Sequence, residues 1–260
     1  MKANLLHLGL AATFALGITA CQKDKDDTQT PATIAKISEL KNGDEFVRFT
    51  YNSDGTANKL TMKSDLNTGM ATVDYTIAYT ADKKIASLTG TNSDKIEAVY
   101  ENGRLSRADL FEGSTYTSFT SYTYENGRMT KATINYKSGA TFKPFLEFRF
   151  SYDAQGNPSK TESFMAMGIN GQLSSTGYVT MEYDNKTNPL NAHSDLMALF
   201  WQPAPKNNVT LEKHYDENGV LEETHTFAYT YKANGLPEKA VESIQQTGQA
   251  TTTSTITYTY

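Results

Sequence analysis

Residues 146–156 read LEFRFSYDAQG, and this stretch decides the fold. From Leu146 to Tyr152 apolar and polar residues alternate, which is the period of a β-strand with one buried face. The run closes on a tyrosine, and a polar turn containing Gly156 follows. An Asp-x-x-Gly sequence suits a type I turn that is closed by a glycine bulge. The stretch therefore predicts a strand that leads directly into a hairpin.

The same motif recurs along the chain. Six copies carry both the tyrosine and the turn glycine, and they begin at Tyr51, Tyr100, Tyr124, Tyr152, Tyr215 and Tyr231. Degenerate copies begin at Tyr79 and Tyr183. The second residue before each tyrosine is apolar, except that Lys213 stands before Tyr215. The pattern predicts an all-β domain over residues 36–260, built as one curved antiparallel meander of consecutive hairpins. Because a sheet of more than about ten strands twists and curls, we expect a half-open barrel or a wrapped β-coil.

Strand alternation stops between residues 189 and 205. Ser194 can cap a helix, and the apolar run from Leu196 to Trp201 follows it, so we expect one short helix near residues 194–201. A helix so apolar must be buried, which predicts a plug against the sheet. The functional alternative makes Phe200 and Trp201 part of a ligand platform, on which a sugar ring could stack.

The start of the chain predicts export. A charged Lys2, an apolar stretch and the sequence ITAC at residues 18–21 are typical of a lipoprotein signal peptide over residues 1–20. Cys21 is the only cysteine and stands where such proteins are acylated. Residues 21–35 are then expected to form a flexible tether, since the residues that follow Cys21 are polar and charged. Acidic residues directly after the cysteine are similar to the surface-export signal of lipoproteins in the Bacteroidetes.

Tyrosine followed by an acidic residue and a turn glycine is similar to the YD repeats of the Rhs and teneurin shells. A closer resemblance is to the YD-repeat lipoproteins of unknown function from Bacteroidetes. It is carried by the stretches YDNKTNPL at 183–190, KNNV at 206–209, YDENG at 215–219 and YTYKANGLPEK at 229–239. The chain departs from that family at Thr187 and Val209, where proline is expected. The resemblance implies a β-rich envelope lipoprotein and supplies no activity and no functional residues.

Candidate catalytic and metal-binding residues are few. Strand pairing through the turn at Asn218 and Gly219 is expected to separate His214 from His225 and to turn His214 outward, so we predict no metal site and no cofactor. The candidate carboxylates for glycoside hydrolysis all lie in predicted turns, where acidic residues are common; they are Asp153, Asp184, Asp216 and Glu217. We therefore predict no catalytic residues and a protein that is not an enzyme.

These observations predict an outer-membrane lipoprotein that faces the cell surface and has a non-catalytic binding or structural role. A glycan or a protein is the expected ligand. Two alternatives stay open, namely a carbohydrate-active hydrolase that uses turn carboxylates and a carrier that encloses an apolar ligand between helix and sheet. Nucleic acid is not an expected partner, because the formal net charge is -5 at pH 7 and no basic stripe occurs.

Overall fold

A computed structural model describes residues 36–63, 72–167 and 171–260. The predicted signal peptide, Cys21 and the tether lie outside the described residues, so they stay predictions. Within this part of the chain the strands are β1 Glu39–Asn42, β2 Glu45–Tyr51, β3 Ala57–Lys63, β4 Thr72–Tyr79, β5 Ile85–Gly90, β6 Asp94–Glu101, β7 Arg104–Glu112, β8 Thr115–Glu125, β9 Arg128–Ser138, β10 Thr141–Tyr152, β11 Pro158–Met167, β12 Gln172–Thr187, β13 Asn207–Tyr215, β14 Leu221–Tyr231, β15 Pro237–Gln246 and β16 Thr252–Thr259.

The sheet is a closed barrel, and our expectation of a half-open barrel or wrapped coil is wrong. Each strand pairs antiparallel with the next one along the chain, as the meander predicts, and β1 also pairs with β16. In this last pair Leu40 lies opposite Tyr258 and Lys41 lies opposite Thr257. Closure is favoured because it satisfies the backbone groups of both edge strands, which an open sheet leaves unpaired.

The main apolar core lies inside the barrel, and charged residues lie along its outside. Phe150 lies in the core, and Phe148 and Tyr152 pack against it, so the predicted alternation is confirmed in this strand. Residues on the opposite faces of the strands form ion pairs across or along the sheet; these are Arg48–Glu39, Lys59–Asp74, Lys95–Glu97, Arg107–Asp109, Arg149–Glu147 and Lys160–Glu162. The barrel thus has the polarity of a protein whose outer wall meets water.

The repeated tyrosines tie neighbouring strands together at one end of the barrel, which we call the tyrosine end. Tyr79 at the end of β4 donates a hydrogen bond of 2.7 Å to the carbonyl of Ala57 at the start of β3. A tyrosine in or directly after one strand makes the same bond to a carbonyl within two residues of the start of the strand before it in five other places: Tyr51–Ile37, Tyr100–Ile85, Tyr152–Met129, Tyr183–Pro158 and Tyr260–Pro237. The motif therefore fixes successive strands in register.

The tyrosine end also carries the one long insertion between described strands. A 3-10 helix over Pro189–His193 leads into the α-helix α1, Ser194–Leu199, which confirms the predicted short helix. Leu196 and Leu199 are buried in the core of the barrel. Among the described residues no helix is long and apolar enough to cross a membrane.

Candidate functional site

A cluster of imidazole and carboxylate groups lies on the inner wall of the barrel, and we call it the luminal cluster. It consists of Glu212 and His214 on β13, Glu223 and His225 on β14, and Glu242 on β15. Glu212 lies opposite His225 in the strand pairing, and His214 lies opposite Glu223. The two imidazole rings stack with centroids 4.7 Å apart. Two Glu-x-His sequences thus meet in reciprocal register within one hairpin.

Our prediction that strand pairing separates the two histidines is wrong, because the register of β13 and β14 places His225 opposite Glu212, two residues from His214. Our prediction that His214 points outward is wrong as well. β13 contains a bulge, since Glu182 pairs with Leu211 while the next residue, Tyr183, pairs with Val209. The extra residue, Thr210, reverses the alternation, so both Val209 and His214 are buried. For the same reason Tyr215 points outward and stacks on Tyr178 with ring centroids 4.6 Å apart. The alternation rule assumes an unbroken strand, and the exception at Lys213 was the visible sign of the bulge.

His225 is held between two carboxylates. Its Nδ1 lies 2.9 Å from Glu242 Oε1, and its Nε2 lies 2.9 Å from Glu223 Oε1. Burial alone would lower the pKa of His225, but the hydrogen bonds with Glu223 and Glu242 outweigh it and raise the pKa to about 9. Both ring nitrogens therefore donate at neutral pH. Ser254 and Asn42 donate to Glu242 Oε2, at 2.9 Å and 3.3 Å, and so orient that carboxylate.

Glu212 and His214 lie deeper in the wall than His225. Their exposed fractions are 1% and 4%, against 9% for His225. His214 Nε2 lies 3.4 Å from Glu212 Oε2, which is too long for a strong hydrogen bond. Glu212 Oε1 is buried and has no hydrogen-bond partner among the described residues. One ligand atom each from Glu212, His214 and His225 lies within 4.8 Å of the others, a spacing from which they could hold a metal ion.

The predicted platform residues Phe200 and Trp201 follow α1 and pack, partly buried, against the core. Phe200 meets Tyr75 edge to face, with ring centroids 6.1 Å apart. Trp201 has a φ of 68°, a left-handed conformation that ends the helical segment. Whether a ligand reaches these rings stays a prediction.

A pocket of about 260 Å³ lies next to the N-terminal part of α1. Its wall combines apolar and charged side chains, including Ile77, Ile85, Lys36, Lys83, His193 and Asp195. A carrier of apolar molecules needs a dry apolar cavity, and this pocket lacks that character. His193 stacks on Phe49 with centroids 4.4 Å apart, and its Nε2 lies 3.0 Å from the hydroxyl of Tyr51. Burial, with Lys36 nearby, lowers the pKa of His193 to about 4, so its ring is neutral at pH 7.

The candidate carboxylates for hydrolysis have the bonding of structural turn residues. Asp153 accepts from the backbone N–H groups of Gly156 and Asn157, and Asp216 accepts from those of Asn218 and Val220. Asp184 accepts from both the backbone and the side chain of Asn208 and from the hydroxyl of Tyr231. β13 runs from the tyrosine end to the other end of the barrel, so Asp216 and Glu217 lie at the opposite end from Asp153 and Asp184. These four side chains therefore do not meet in one cleft.

Two solved structures share this fold. A porin-like protein from Bacteroides uniformis superposes with a TM-score of 0.60 at 15% identity, covering 86% of this chain and 96% of that one. A porin-like protein from Bacteroides vulgatus gives a TM-score of 0.58 at 14% identity, covering 87% of this chain and 99% of that one. No protein-family model and no curated protein sequence matches the chain. At such low identity the likeness shows the fold alone, and this fold is that of two Bacteroides porin-like proteins.

Proposed function

We propose that the protein is a YD-repeat lipoprotein of the outer membrane whose barrel lies in water beside the bilayer. The lipid anchor on Cys21 would hold it there, and its role would be binding rather than catalysis. One observation carries the proposal: ion pairs lie along the outer wall of the barrel, while the main apolar core lies inside it.

Lipid contact is incompatible with this outer wall. A barrel that spans a membrane presents an apolar band about 25 Å tall to the lipid, and one Arg or Lys at the bilayer midplane costs about 2–4 kcal/mol. Arg107 and Arg149 lie within strands, not in turns, and are paired with Asp109 and Glu147 on the same outer face. These charges support a barrel that stays outside the bilayer, with attachment assigned to the N-terminal cysteine.

Replacing the leader tests this proposal. Residues 1–21 are exchanged for a leader that an ordinary signal peptidase removes, and the cells are fractionated beside a resident membrane-spanning barrel as control. We expect the native chain in the membrane fraction and the exchanged chain, folded, in the aqueous periplasmic fraction. Recovery of the exchanged chain in the membrane, resistant to a carbonate wash like the control barrel, would contradict the proposal.

The ligand is proposed to bind at the tyrosine end, and a glycan is the first candidate. The pocket beside the N-terminal part of α1 combines Tyr79 with charged side chains, and Trp201 lies two residues beyond the other end of the helix. Because the chain has one tryptophan, its fluorescence reports on this region alone. Titration with oligosaccharides is expected to change the emission of the native chain and to have no effect on a Trp201→Phe variant. An unchanged emission across a glycan panel would reject the glycan.

A further inference from the structure

We propose that the luminal cluster binds one divalent transition-metal ion, represented by Zn²⁺, through Glu212, His214 and His225. The site goes beyond the proposed function, since it depends neither on the lipid anchor nor on the ligand at the tyrosine end.

The distance between Glu212 and His214 suits coordination better than hydrogen bonding. Glu212 Oε2 and His214 Nε2 are 3.4 Å apart, beyond the usual range of an N–H···O bond. Two ligands on a tetrahedral zinc ion are separated by about 3.4 Å, because each bond is close to 2.1 Å. One ligand atom of His225 lies within 4.8 Å of one ligand atom each of Glu212 and His214. A small rotation of the His225 ring would therefore complete a three-ligand site.

The unpartnered oxygen of Glu212 points to the same conclusion. The residue is 1% exposed, and its Oε1 has no hydrogen-bond partner among the described residues. Leaving a buried carboxylate oxygen unpaired is costly, and the cost is removed when a cation binds to it. The oxygen belongs to the residue that offers the carboxylate ligand to the site.

The charge of the luminal cluster also favours a cation. Glu212, Glu223 and Glu242 are three carboxylates, and His214 and His225 are two imidazoles. By formal charge, the cluster has three acidic groups, and its imidazoles would be neutral as metal ligands. A bound divalent ion would then offset two of the three negative charges on an inner wall that includes buried Val179 and Phe227.

The surrounding residues orient the histidine for coordination. Glu242 accepts from Nδ1 of His225 and is itself held by Ser254, so Nε2 is the nitrogen that would bind the metal, and the proton that it now donates to Glu223 would be released to solvent. A carboxylate behind a ligating imidazole is the usual outer support of a metal site. Glu223 now bonds to that Nε2 at 2.9 Å, so on metal binding its carboxylate would lie beside the ion as the fourth ligand.

The ligand set also selects the class of ion. Imidazole nitrogen with carboxylate oxygen suits Zn²⁺ and its neighbours in the first transition row. Ca²⁺ and Mg²⁺ prefer sites made entirely of oxygen. We therefore expect Zn²⁺ to bind in the presence of an excess of Ca²⁺.

Calorimetric titration tests the site. The mature chain is purified in detergent, stripped with a chelator and titrated with Zn²⁺, with Ca²⁺ in a parallel experiment. We expect one Zn²⁺ per chain, and an affinity at least tenfold lower in His214→Gln and His225→Gln variants. The His193→Phe variant is the matched control, because it removes a buried histidine outside the cluster and keeps an aromatic ring on Phe49; its affinity is expected to be unchanged.

Two results would overturn the proposal. One is a native chain that takes up no Zn²⁺, and the other is a pair of glutamine variants that bind Zn²⁺ as the native chain does. If the glutamine variants fail to fold, X-ray absorption of the native chain with Zn²⁺ decides the matter. A spectrum that shows two imidazole rings coordinated to the ion supports the site, and a coordination shell that contains no imidazole refutes it.

Discussion

The hydroxyl of Tyr183, at the tyrosine end of β12, donates a hydrogen bond to the backbone carbonyl of Pro158, the first residue of β11. Both the tyrosine side chain and the acceptor are buried, and burial raises the pKa of Tyr183 well above its usual value, so the hydroxyl stays protonated as a donor. The repeated tyrosine is therefore a structural element that joins a strand to the one before it at six places in the barrel.

Removing this hydroxyl is expected to destabilise the barrel measurably. A Tyr183→Phe substitution leaves the Pro158 carbonyl buried without its donor, at a cost of about 1–3 kcal/mol in the free energy of unfolding. Urea unfolding followed by circular dichroism measures the loss. Tyr136→Phe is the control, because Tyr136 is 58% exposed, and it is expected to change stability by less than about 0.5 kcal/mol. Equal effects of the two substitutions would contradict the structural role.

His193 is expected to make the folded protein less stable in acid. Its pKa is about 4 in the native protein and 6.5 in an unfolded chain, so the unfolded state takes up the proton first. The stability due to neutral His193 is complete above pH 6.5 and is lost as the pH falls towards 4, by at most about 3 kcal/mol. Lys36 contributes to the lowered pKa of the ring, and the hydroxyl of Tyr51 lies 3.0 Å from its Nε2.

The measurement compares the free energy of unfolding of the native chain with that of the His193→Phe variant between pH 6.5 and pH 4. The substitution keeps the stacking on Phe49 and removes the proton site. The free energy of unfolding of the native chain, minus that of the His193→Phe variant, should become smaller or change sign as the pH falls from 6.5 to 4. A difference that is constant over this range would show that His193 does not titrate in this way.

Much of the fold could be predicted from the sequence, because strand alternation and turn chemistry are local. The stretch from Leu146 to Tyr152 and the short helix at Ser194 are where the pattern predicts them. Closure could not be predicted, because it depends on pairing between β1 and β16, whose residues are more than 200 positions apart.

The luminal cluster was missed because one bulge residue, Thr210, reversed the alternation in β13. A signal for it was nevertheless present. The sequences Glu212-Lys213-His214 and Glu223-Thr224-His225 repeat one Glu-x-His spacing on both sides of a single turn. In an antiparallel hairpin such a repeat can bring each glutamate opposite the other histidine, as it does in this structure.

The acidic residues after Cys21 predict the membrane face. If Asp24, Asp26 and Asp27 direct export to the cell surface, changing all three to alanine should retain the protein on the periplasmic face. Protease digestion of intact cells is the measurement, with a known surface lipoprotein as control. We expect the native chain to be digested and the triple variant to be protected. A native chain that resists digestion while the control is cleaved would contradict the surface assignment.

Closure of the barrel can be tested most directly with a disulfide between its first and last strands. Lys41 and Thr257 are cross-strand partners, and their Cβ atoms are expected about 4.5–5.5 Å apart, close enough for a disulfide after a small adjustment. In the exchanged-leader chain, which lacks Cys21, Lys41→Cys with Thr257→Cys should form an intramolecular disulfide, detected by mass spectrometry. Lys41→Cys with Thr123→Cys, on the distant strand β8, should stay reduced. Free thiols in the first pair, in a folded protein under oxidising conditions, would contradict the closed barrel.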